Sequence, residues 1–382
     1  MRLRSPIVAA LALAATVLVA APASAFTPAQ KAAMAGEVQA AMQQIGYPGM
    51  LVGVWTQGQG RFIATPGAAD AATGRQMRFG DQARIGSVTK TFTATVVLQL
   101  VEEKKLRLND PVKKYLDRVP RGSEITIRML LNHTSGIPSL PPGVADSAIF
   151  HPHRNWRPGQ LIFRGLRQKR LAPPGKLWFY SNINYDMLGK IAEQVSGEPL
   201  RRLYRERIFE PLALRQTAFV SSSQLPAAAV HGYFLERPTG SFLDTFGWNY
   251  SWAFSAGAIV SSLADLHRYG PALATGEGLL SSRMQRKRLT FVPVPSEGIG
   301  YGLGIFEIQL GTTGATTYYG HNGIVFGYDA MLLHSPAART TIAIVGNTAV
   351  EEDALPSDPT RPTLFDLADV LAAIAEGEPV PQ

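Results

Sequence analysis

The chain has 382 residues, of which 46% are hydrophobic and 17% charged, with a formal net charge of +8 and no cysteine. The lack of cysteine excludes disulfides and a lipoprotein anchor, so an exported form would depend on its core for stability. Basic residues are scattered, as in Arg286-Lys287-Arg288, without interleaved aromatic residues or a nucleic-acid motif. This pattern favours a solvated basic surface over polyanion binding, and we expect no nucleic-acid partner.

Residues 1–25 have the pattern of a secretory signal peptide. Arg2 and Arg4 precede an apolar run from about residue 7 to residue 21, and Ala23-Ser24-Ala25 provides a cleavage site. An uncleaved anchor is the alternative, but the run is shorter than the roughly 20 residues that span a bilayer. We therefore expect an exported protein, periplasmic or extracellular, that begins at Phe26 and keeps no stable membrane anchor.

Helix and strand signals alternate near both ends of the chain. Thr27-Pro28-Ala29-Gln30 is a capping box that opens a helix to about Ile45, and strands are predicted at 49–55 and 61–65. Near the other end the pattern predicts strands at 301–309, 315–319, 325–333 and 340–346, followed by a helix at 364–375. Helical periodicity dominates between these ends.

These elements predict an α+β fold in which an antiparallel sheet, built from both chain ends, is flanked by helices. Residues 26–90 and 286–382 would form an α/β subdomain, and residues 91–285 a mostly helical one inserted into it. No repeat or low-complexity linker separates the two, so we expect one catalytic unit.

The segment Ser87-Val88-Thr89-Lys90 stands where a polar loop gives way to helical sequence. Ser87 would lie at a helix N-terminus, where backbone N–H groups favour an oxyanion, and Lys90 would share its face. A buried lysine tends towards its neutral form and can then accept a proton from a serine. The alternative is that Ser87 only caps the helix and Lys90 lies on the surface.

Two further segments carry groups suited to acyl transfer. Tyr180-Ser181-Asn182 precedes a predicted helix and supplies a phenol for proton relay and an amide for a substrate carbonyl, although a simple helix cap would also explain the serine or asparagine. His321-Asn322-Gly323 lies between two predicted strands. There the histidine would supply a hydrogen-bonding or cationic group at the sheet edge, or serve only the structure, and the glycine would admit a ligand close to the backbone.

Taken together, these three segments resemble the active-site motifs of serine β-lactamase-like enzymes, in the branch of class C β-lactamases, secreted D-alanyl-D-alanine carboxypeptidases and related esterases. The resemblance covers nearly all of the chain after residue 25. It extends to further segments in order, namely residues 108–112, 131–136, 174–175, 208–212, 252–257 and 300–304.

The resemblance implies a role for each site residue. Ser87 would be the nucleophile, Lys90 its base partner and Tyr180 the proton relay to the leaving group. The oxyanion hole would consist of the backbone N–H groups of Ser87 and Ile324, and His321 would occupy the place of the lysine in the K-T-G motif of β-lactamases. The implied substrate-binding residues are Asn182, Trp252, Phe306, His321, Gly323 and Ile324.

Three positions depart from the carboxypeptidase pattern, which has a threonine directly after H-T-G and an arginine shortly after Y-G-L-G to bind a peptide carboxylate. This chain has Ile324 and Phe306 at those places, and Asn322 replaces the middle threonine. A lost charge-assisted pair costs roughly 1.5–3 kcal/mol, which weakens selection for a free carboxylate. Arg84 or His321 could supply the missing cation.

The first functional hypothesis is therefore an exported serine hydrolase that forms an acyl-enzyme on D-Ala-D-Ala-type peptides. A carboxylesterase or amidohydrolase using the same acyl-enzyme on a less charged substrate is the second, and a non-catalytic β-lactam or cell-wall sensor is the third. We expect a monomer that takes a peptide, ester or β-lactam, with no cofactor and no metal, since no metal-binding signature is present.

Overall fold

The computed structural model describes residues 25–141, 143–235, 242–295, 298–311, 314–349 and 362–378. The predicted signal peptide, residues 1–25, lies outside the described residues apart from its last position. Within these ranges no helix is both long enough and apolar enough to cross a membrane.

The described chain contains sixteen strands and eleven α-helices, joined by short 3₁₀ and π segments. The strands are β1 Met50–Thr56, β2 Gly60–Ala64, β3 Ala68–Asp70, β4 Arg75–Gln76, β5 Gln82–Arg84, β6 Ala218–Phe219, β7 Tyr233–Leu235, β8 Phe242–Asp244, β9 Ile259–Ser262, β10 Val292–Pro293, β11 Ile299–Tyr301, β12 Phe306–Leu310, β13 Thr316–Val325, β14 Tyr328–Ser335, β15 Thr340–Gly346 and β16 Thr348–Ala349. The helices are α1 Pro28–Ile45, α2 Thr89–Glu102, α3 Ile127–Leu131, α4 Val144–Phe150, α5 Pro158–Leu166, α6 Asn182–Ser196, α7 Leu200–Tyr204, α8 Phe254–Gly257, α9 Leu263–Thr275, α10 Ser282–Arg288 and α11 Leu364–Glu376.

The main sheet has eight strands in the order β10-β11-β12-β13-β14-β15-β1-β2, and every neighbouring pair is antiparallel. Both chain ends contribute to it, because β1 pairs with β15, in the register Val52 opposite Ile344. The predicted α+β fold with a sheet built from both ends is therefore confirmed. The smaller sheets are β16-β7-β8, β3-β4 and β5-β9-β6.

The sheet is a middle layer with a core on each face. On one side α1 and α11 cover alternate residues of the strands, so that Val52 and Ile344 pack against Met34 and Leu371. The capping box at Thr27 starts α1 as the sequence predicts. On the other side the intervening residues join the large core built around α2, α6 and α9. Since both faces are covered, β1 is buried along its whole length.

Two strand predictions differ from the structure. The predicted strand at 301–309 is divided into β11 and β12 by a turn at residues 302–305, in which Gly304 has a positive φ of 76°. Conversely, His321-Asn322-Gly323 does not separate two strands but lies within β13, an interior strand of the sheet. The expected sheet-edge position of His321 is therefore wrong. Glycines at 320 and 323 weakened the strand signal, although a close backbone approach at each requires a glycine.

We predict that Gly36→Ala stabilises the protein by about 0.5–1 kcal/mol, because alanine has the higher helix propensity. Gly36 is exposed in the middle of α1, and a side chain there would meet no atom within 4 Å. Gly53→Ala should destabilise, since the new Cβ would lie 2.1 Å from the Trp55 ring. Urea unfolding of both variants checks the pair, and a destabilised Gly36→Ala would contradict the expectation.

Candidate active site

Ser87 lies in a 3₁₀ turn, Gly86–Val88, that leads directly into α2. Its side chain is half-buried, whereas Lys90 in the first turn of α2 is fully buried. The three-residue spacing places the two on one face of the helix, and Lys90 Nζ lies 2.8 Å from Ser87 Oγ. The structure thus brings together the pair that the sequence singled out.

Lys90 has two more hydrogen-bond partners, and their chemistry fixes what the amine can do. Nζ lies 2.7 Å from Asn182 Oδ1 and 2.9 Å from the carbonyl oxygen of Ala256, and both of these oxygens only accept. A neutral amine uses its two N–H groups on them. Its lone pair is then directed at the Ser87 hydroxyl, which can donate. This arrangement suits proton abstraction from Ser87.

Burial of Lys90 lowers its pKa to about 7, against the opposing effect of the negative charge of Asp186. A low-dielectric environment penalises the charged ammonium, which is the usual cause of a depressed lysine pKa. A substantial fraction of the side chain is therefore neutral at pH 7. This value is near the optimum for a general base at neutral pH.

Tyr180 lies over the same pair, with Lys90 Nζ 4.7 Å from the centre of its ring. Burial raises the pKa of Tyr180 far above its usual range, although an interaction with the Ser87 hydroxyl opposes the shift. The phenol therefore stays protonated at neutral pH. Tyr180 can donate a proton, and Lys90 is the better base of the two.

Asn182 begins α6, and the residue before it provides the cap. Ser181 accepts a hydrogen bond from the backbone N–H of Asn184, so the helix-cap interpretation of this segment applies to Ser181. Asn182 is left to hold Lys90 through Oδ1. Its NH₂ group has no protein partner among the described residues and borders the cleft beside Ser87, where it can donate to a substrate carbonyl.

The backbone of β13 lies directly against the Ser87 turn. A side chain on Gly323 would start 2.1 Å from the Ile85 carbonyl oxygen and 2.7 Å from the Ser87 nitrogen. A side chain on Gly86, which has a positive φ of 47°, would start 2.8 Å from the Ile324 nitrogen. The two glycines therefore bring the backbone nitrogens of Ser87 and Ile324 into proximity, as an oxyanion hole requires.

His321 is buried and electrically neutral. Its Nδ1 donates to the carbonyl oxygen of Asn322, and its Nε2 accepts a hydrogen bond of 3.0 Å from the Tyr301 hydroxyl. Burial lowers the pKa of His321 to about 3, and the nearby Lys90 adds to the shift. With both ring nitrogens engaged, His321 offers no cation to a substrate, contrary to the open expectation from the sequence.

A cleft beside Ser87 is lined by apolar side chains together with exposed polar atoms. Among the predicted substrate-binding residues, Asn182, Trp252 and Ile324 line it, together with Leu140, Ala253, Ala256, Gly257 and Val325. Ile324 is 46% exposed at its rim. Phe306 and His321, whose ring centres lie 4.7 Å apart, do not form part of the described lining.

Arg84 does not supply the missing cation. It is fully buried and donates to the carbonyl oxygens of Val220 and Ser222, at 2.9 and 3.1 Å. Its guanidinium group also stacks 3.6 Å from the centre of the Tyr250 ring. These contacts hold Arg84 within the interior, so its role is to join segments of the fold.

Sequence reasoning missed the role of His133, which packs against the ring of Tyr180 and binds the backbone of the next residue. Its ring centre lies 4.5 Å from that of Tyr180, and its Nδ1 accepts the backbone N–H of Ser181 at 3.1 Å. Burial lowers the pKa of His133 well below its usual range, so it is neutral. The backbone of His133 has a positive φ of 61°, a left-handed conformation that no pattern of residue types predicts. It also missed Leu140, which lines the cleft, and Ala256, whose carbonyl oxygen binds Lys90.

Comparison with known proteins identifies related sequences and folds. The sequence profile of the family described as beta-lactamase matches residues 34–364. The chain is 30% identical over 267 residues to the putative penicillin-binding protein PbpX of Bacillus subtilis (strain 168), an alignment covering 69% of this chain and 61% of the relative. It is 28% identical over 239 residues to the D-alanyl-D-alanine-carboxypeptidase/endopeptidase AmpH of Escherichia coli (strain K12), covering 58% and 59%.

Among solved structures, a D-stereospecific amidohydrolase from Streptomyces sp. superimposes with a TM-score of 0.76 at 33% identity. The alignment covers 83% of this chain and 94% of that one. The chain spans only about three fifths of the length of the two curated relatives. The similarity therefore concerns the catalytic fold and not the full extent of those proteins.

We predict that acylation of Ser87 by an uncharged ester slows about tenfold for each pH unit below 7, reaching about a hundredfold at pH 5. The reason is that Lys90, with a pKa of about 7, is progressively protonated as the pH falls. Stopped-flow measurement of the acylation rate from pH 5 to pH 9 checks this. Lys90→Arg keeps the charge but cannot release it and should be inactive throughout, while Lys190→Arg on α6 should behave as the wild type. A flat profile would contradict the prediction.

Gly323→Ala should lower the acylation rate by about a hundredfold or more, the usual effect of losing one oxyanion-hole donor. The added Cβ would force β13 away from the Ser87 turn, since it would overlap the Ile85 carbonyl. Gly159→Ala on α5, where a side chain meets open space, is the matched control. Rates measured with the same ester, beside circular dichroism of both variants, separate a site effect from unfolding. Wild-type acylation by Gly323→Ala would exclude the arrangement.

Proposed function

Because the chain belongs to the β-lactamase family, of which the matched profile covers residues 34–364, we propose that it is an exported serine hydrolase that cleaves peptide-like amides and esters through an acyl-enzyme on Ser87. The observation that supports this proposal most directly is the set of three contacts made by the buried Lys90 amine. We further propose that the preferred substrates have no free carboxylate on the leaving side of the scissile bond.

Acylation begins with transfer of the Ser87 hydroxyl proton to neutral Lys90, while Oγ attacks the substrate carbonyl carbon. The carbonyl oxygen becomes an oxyanion that the backbone N–H groups of Ser87 and Ile324 stabilise. Collapse of this intermediate breaks the bond to the leaving amine or alcohol. Tyr180 donates a proton to that group and is reprotonated from the Lys90 ammonium, leaving the acyl-enzyme and a neutral lysine.

Deacylation repeats these steps with water as the nucleophile. Lys90 takes a proton from the water, which attacks the acyl carbonyl, and Ser87 leaves with a proton returned through Lys90 or Tyr180. The NH₂ group of Asn182 can hold the substrate chain during both acylation and deacylation. Both steps use one base whose pKa of about 7 permits proton transfer in each direction.

The proposal for the leaving side follows from the charges around the cleft. Leu140, Trp252, Ile324 and Val325 contribute apolar side chains to its lining. His321 is neutral, and Arg84 is engaged in the interior. Among the residues that the structure describes, none that lines the cleft carries a permanent positive charge, so a free carboxylate bound there would be desolvated without a full cation to pair with, which costs more than binding an amide or ester.

The relatives support an acyl-hydrolase of this kind and suggest the stereochemistry of the acyl side. One is described as a D-alanyl-D-alanine-carboxypeptidase/endopeptidase, and a structural neighbour as a D-stereospecific amidohydrolase. A carboxypeptidase acts beside a free carboxylate, whereas an endopeptidase or amidase does not, so the descriptions of the relatives leave both open and the charges around the cleft carry the choice. We therefore propose D-amino-acid amides and esters as the substrate class, in preference to free-acid D-Ala-D-Ala peptides.

We expect the wild type to cleave an acylated D-Ala-D-Ala amide or methyl ester with a kcat/KM equal to or above that for the free acid. The double variant Phe306→Arg with Ile324→Thr should shift the preference towards the free acid by about ten- to a hundredfold, the effect of one charge-assisted pair. Steady-state kinetics of the three substrates measure this shift. Phe163→Arg, which adds the same charge at an exposed position of α5, is the control. A wild type that strongly prefers the free acid would contradict the substrate proposal but leave the acyl-enzyme intact.

A further inference from the structure

A second pocket lies at the far end of α2, about 20 Å along the helix from the Ser87 turn. It has a volume of about 600 Å³ and an apolar floor formed by Val101, Leu106 and Leu108. Its walls carry four cationic side chains, those of Lys104, Arg107, Arg128 and Lys287, and no carboxylate belongs to the described lining.

These four cations come from separate parts of the chain. Lys104 and Arg107 follow the end of α2, Arg128 belongs to α3 and Lys287 to α10. Arg128 and Lys287 are half-buried, whereas the other two are exposed. Convergence of like charges on one concavity raises the free energy of the folded state, and partial burial increases that effect. A merely solvated basic surface gives no reason for such convergence.

None of the four has an ion-pair partner or a side-chain hydrogen bond within the part of the chain that the structure describes. Some cations nearby are paired, since Arg207 binds Glu103 and Lys114 binds Asp110 at 3.0 Å. Arg283 and Arg286 of α10 are likewise without an ion pair among the described residues, but neither lines the pocket. What distinguishes the pocket cations is that all four line one concavity.

The acidic residues closest in sequence are already engaged elsewhere. Glu102 accepts hydrogen bonds from the backbone and side chain of Ser281. Glu103 is held by Arg207 and Lys105, and Asp110 by Lys114, Tyr115 and the backbone N–H of Arg107. Within the described part of the chain, these carboxylates therefore do not neutralise the pocket cations.

We propose that this pocket binds a phosphate group with at least two negative charges, such as a phosphate monoester or a pyrophosphate. Two guanidinium groups can pair with its oxygens in a forked geometry, and two ammonium groups add point charges. The floor of valine and leucine would contact the apolar part of a ligand that carries the phosphate. Such a phosphate could be borne by a lipid headgroup or by a soluble or polymeric molecule. The site is independent of the proposed hydrolase function.

Binding of sodium pyrophosphate, measured by calorimetry and by thermal unfolding at constant ionic strength, tests the proposal. The wild type should bind and gain several degrees in Tm, as expected when a ligand binds only the folded state. Lys287→Gln and Arg128→Gln should each weaken binding by about fivefold or more. Arg286→Gln removes an exposed charge one residue away on the same helix, outside the pocket, and should bind as the wild type.

Vesicles distinguish the two sources of phosphate. If a lipid headgroup is the ligand, the wild type should sediment with vesicles that contain phosphatidic acid, a phosphate monoester, but not with phosphatidylcholine vesicles, and pyrophosphate should compete. Binding of pyrophosphate without sedimentation would support a soluble or polymeric source. Absence of pyrophosphate binding, or an equal loss in Arg286→Gln and the pocket variants, would overturn the proposal. Circular dichroism verifies that each variant is folded. If one of the two pocket variants does not fold, the other is enough to test the proposal.

Discussion

The burial of the Lys90 amine is the constraint on which the rest of the site depends. An amine without solvent needs protein partners, and it finds them on three elements: Ser87 before α2, Asn182 at the start of α6 and Ala256 in α8. These elements must converge to satisfy it. A glycine at position 189 of α6 allows the close packing, since a side chain there would overlap Ser255. The same burial that demands this convergence depresses the lysine pKa, so the folding requirement and the proposed chemistry have one physical origin.

The two histidines that flank the site add no positive charge beside Lys90. His133 and His321 are both buried and neutral, and each is fixed by hydrogen bonds to the backbone. The positive charge of Lys90 favours the ionised form of the Asp186 carboxyl, but burial has the larger effect and raises the pKa of that carboxyl well above its usual range. The site therefore stabilises charge mainly through dipoles and hydrogen bonds. This balance supports the proposal that a free carboxylate would be a poor occupant of the cleft.

The sequence predicted the parts of this arrangement that depend on local spacing. The three-residue interval of Ser87 and Lys90 places them on one helical face, and alternation of apolar residues located β1 and the carboxyl-terminal strands. It did not predict the state of His321, because that depends on Tyr301, twenty residues away on another strand. Likewise, the continuity of β13 through Gly323 depends on the backbone of the Ser87 turn, and the cationic pocket depends on the meeting of α2, α3 and α10. Such long-range contacts leave no periodic signal in the residue types.

The most direct test of the account is to locate the covalent adduct after reaction with a fluorophosphonate or a β-lactam. Peptide mass spectrometry of the wild type should find one modification per chain, on the peptide that contains Ser87. Ser87→Ala, which keeps Lys90 and Tyr180, should remain unmodified under conditions that label the wild type fully. Labelling of Ser87→Ala at the wild-type rate, or an adduct mapped to another residue, would contradict the central claim that buried Lys90 activates Ser87 as the nucleophile.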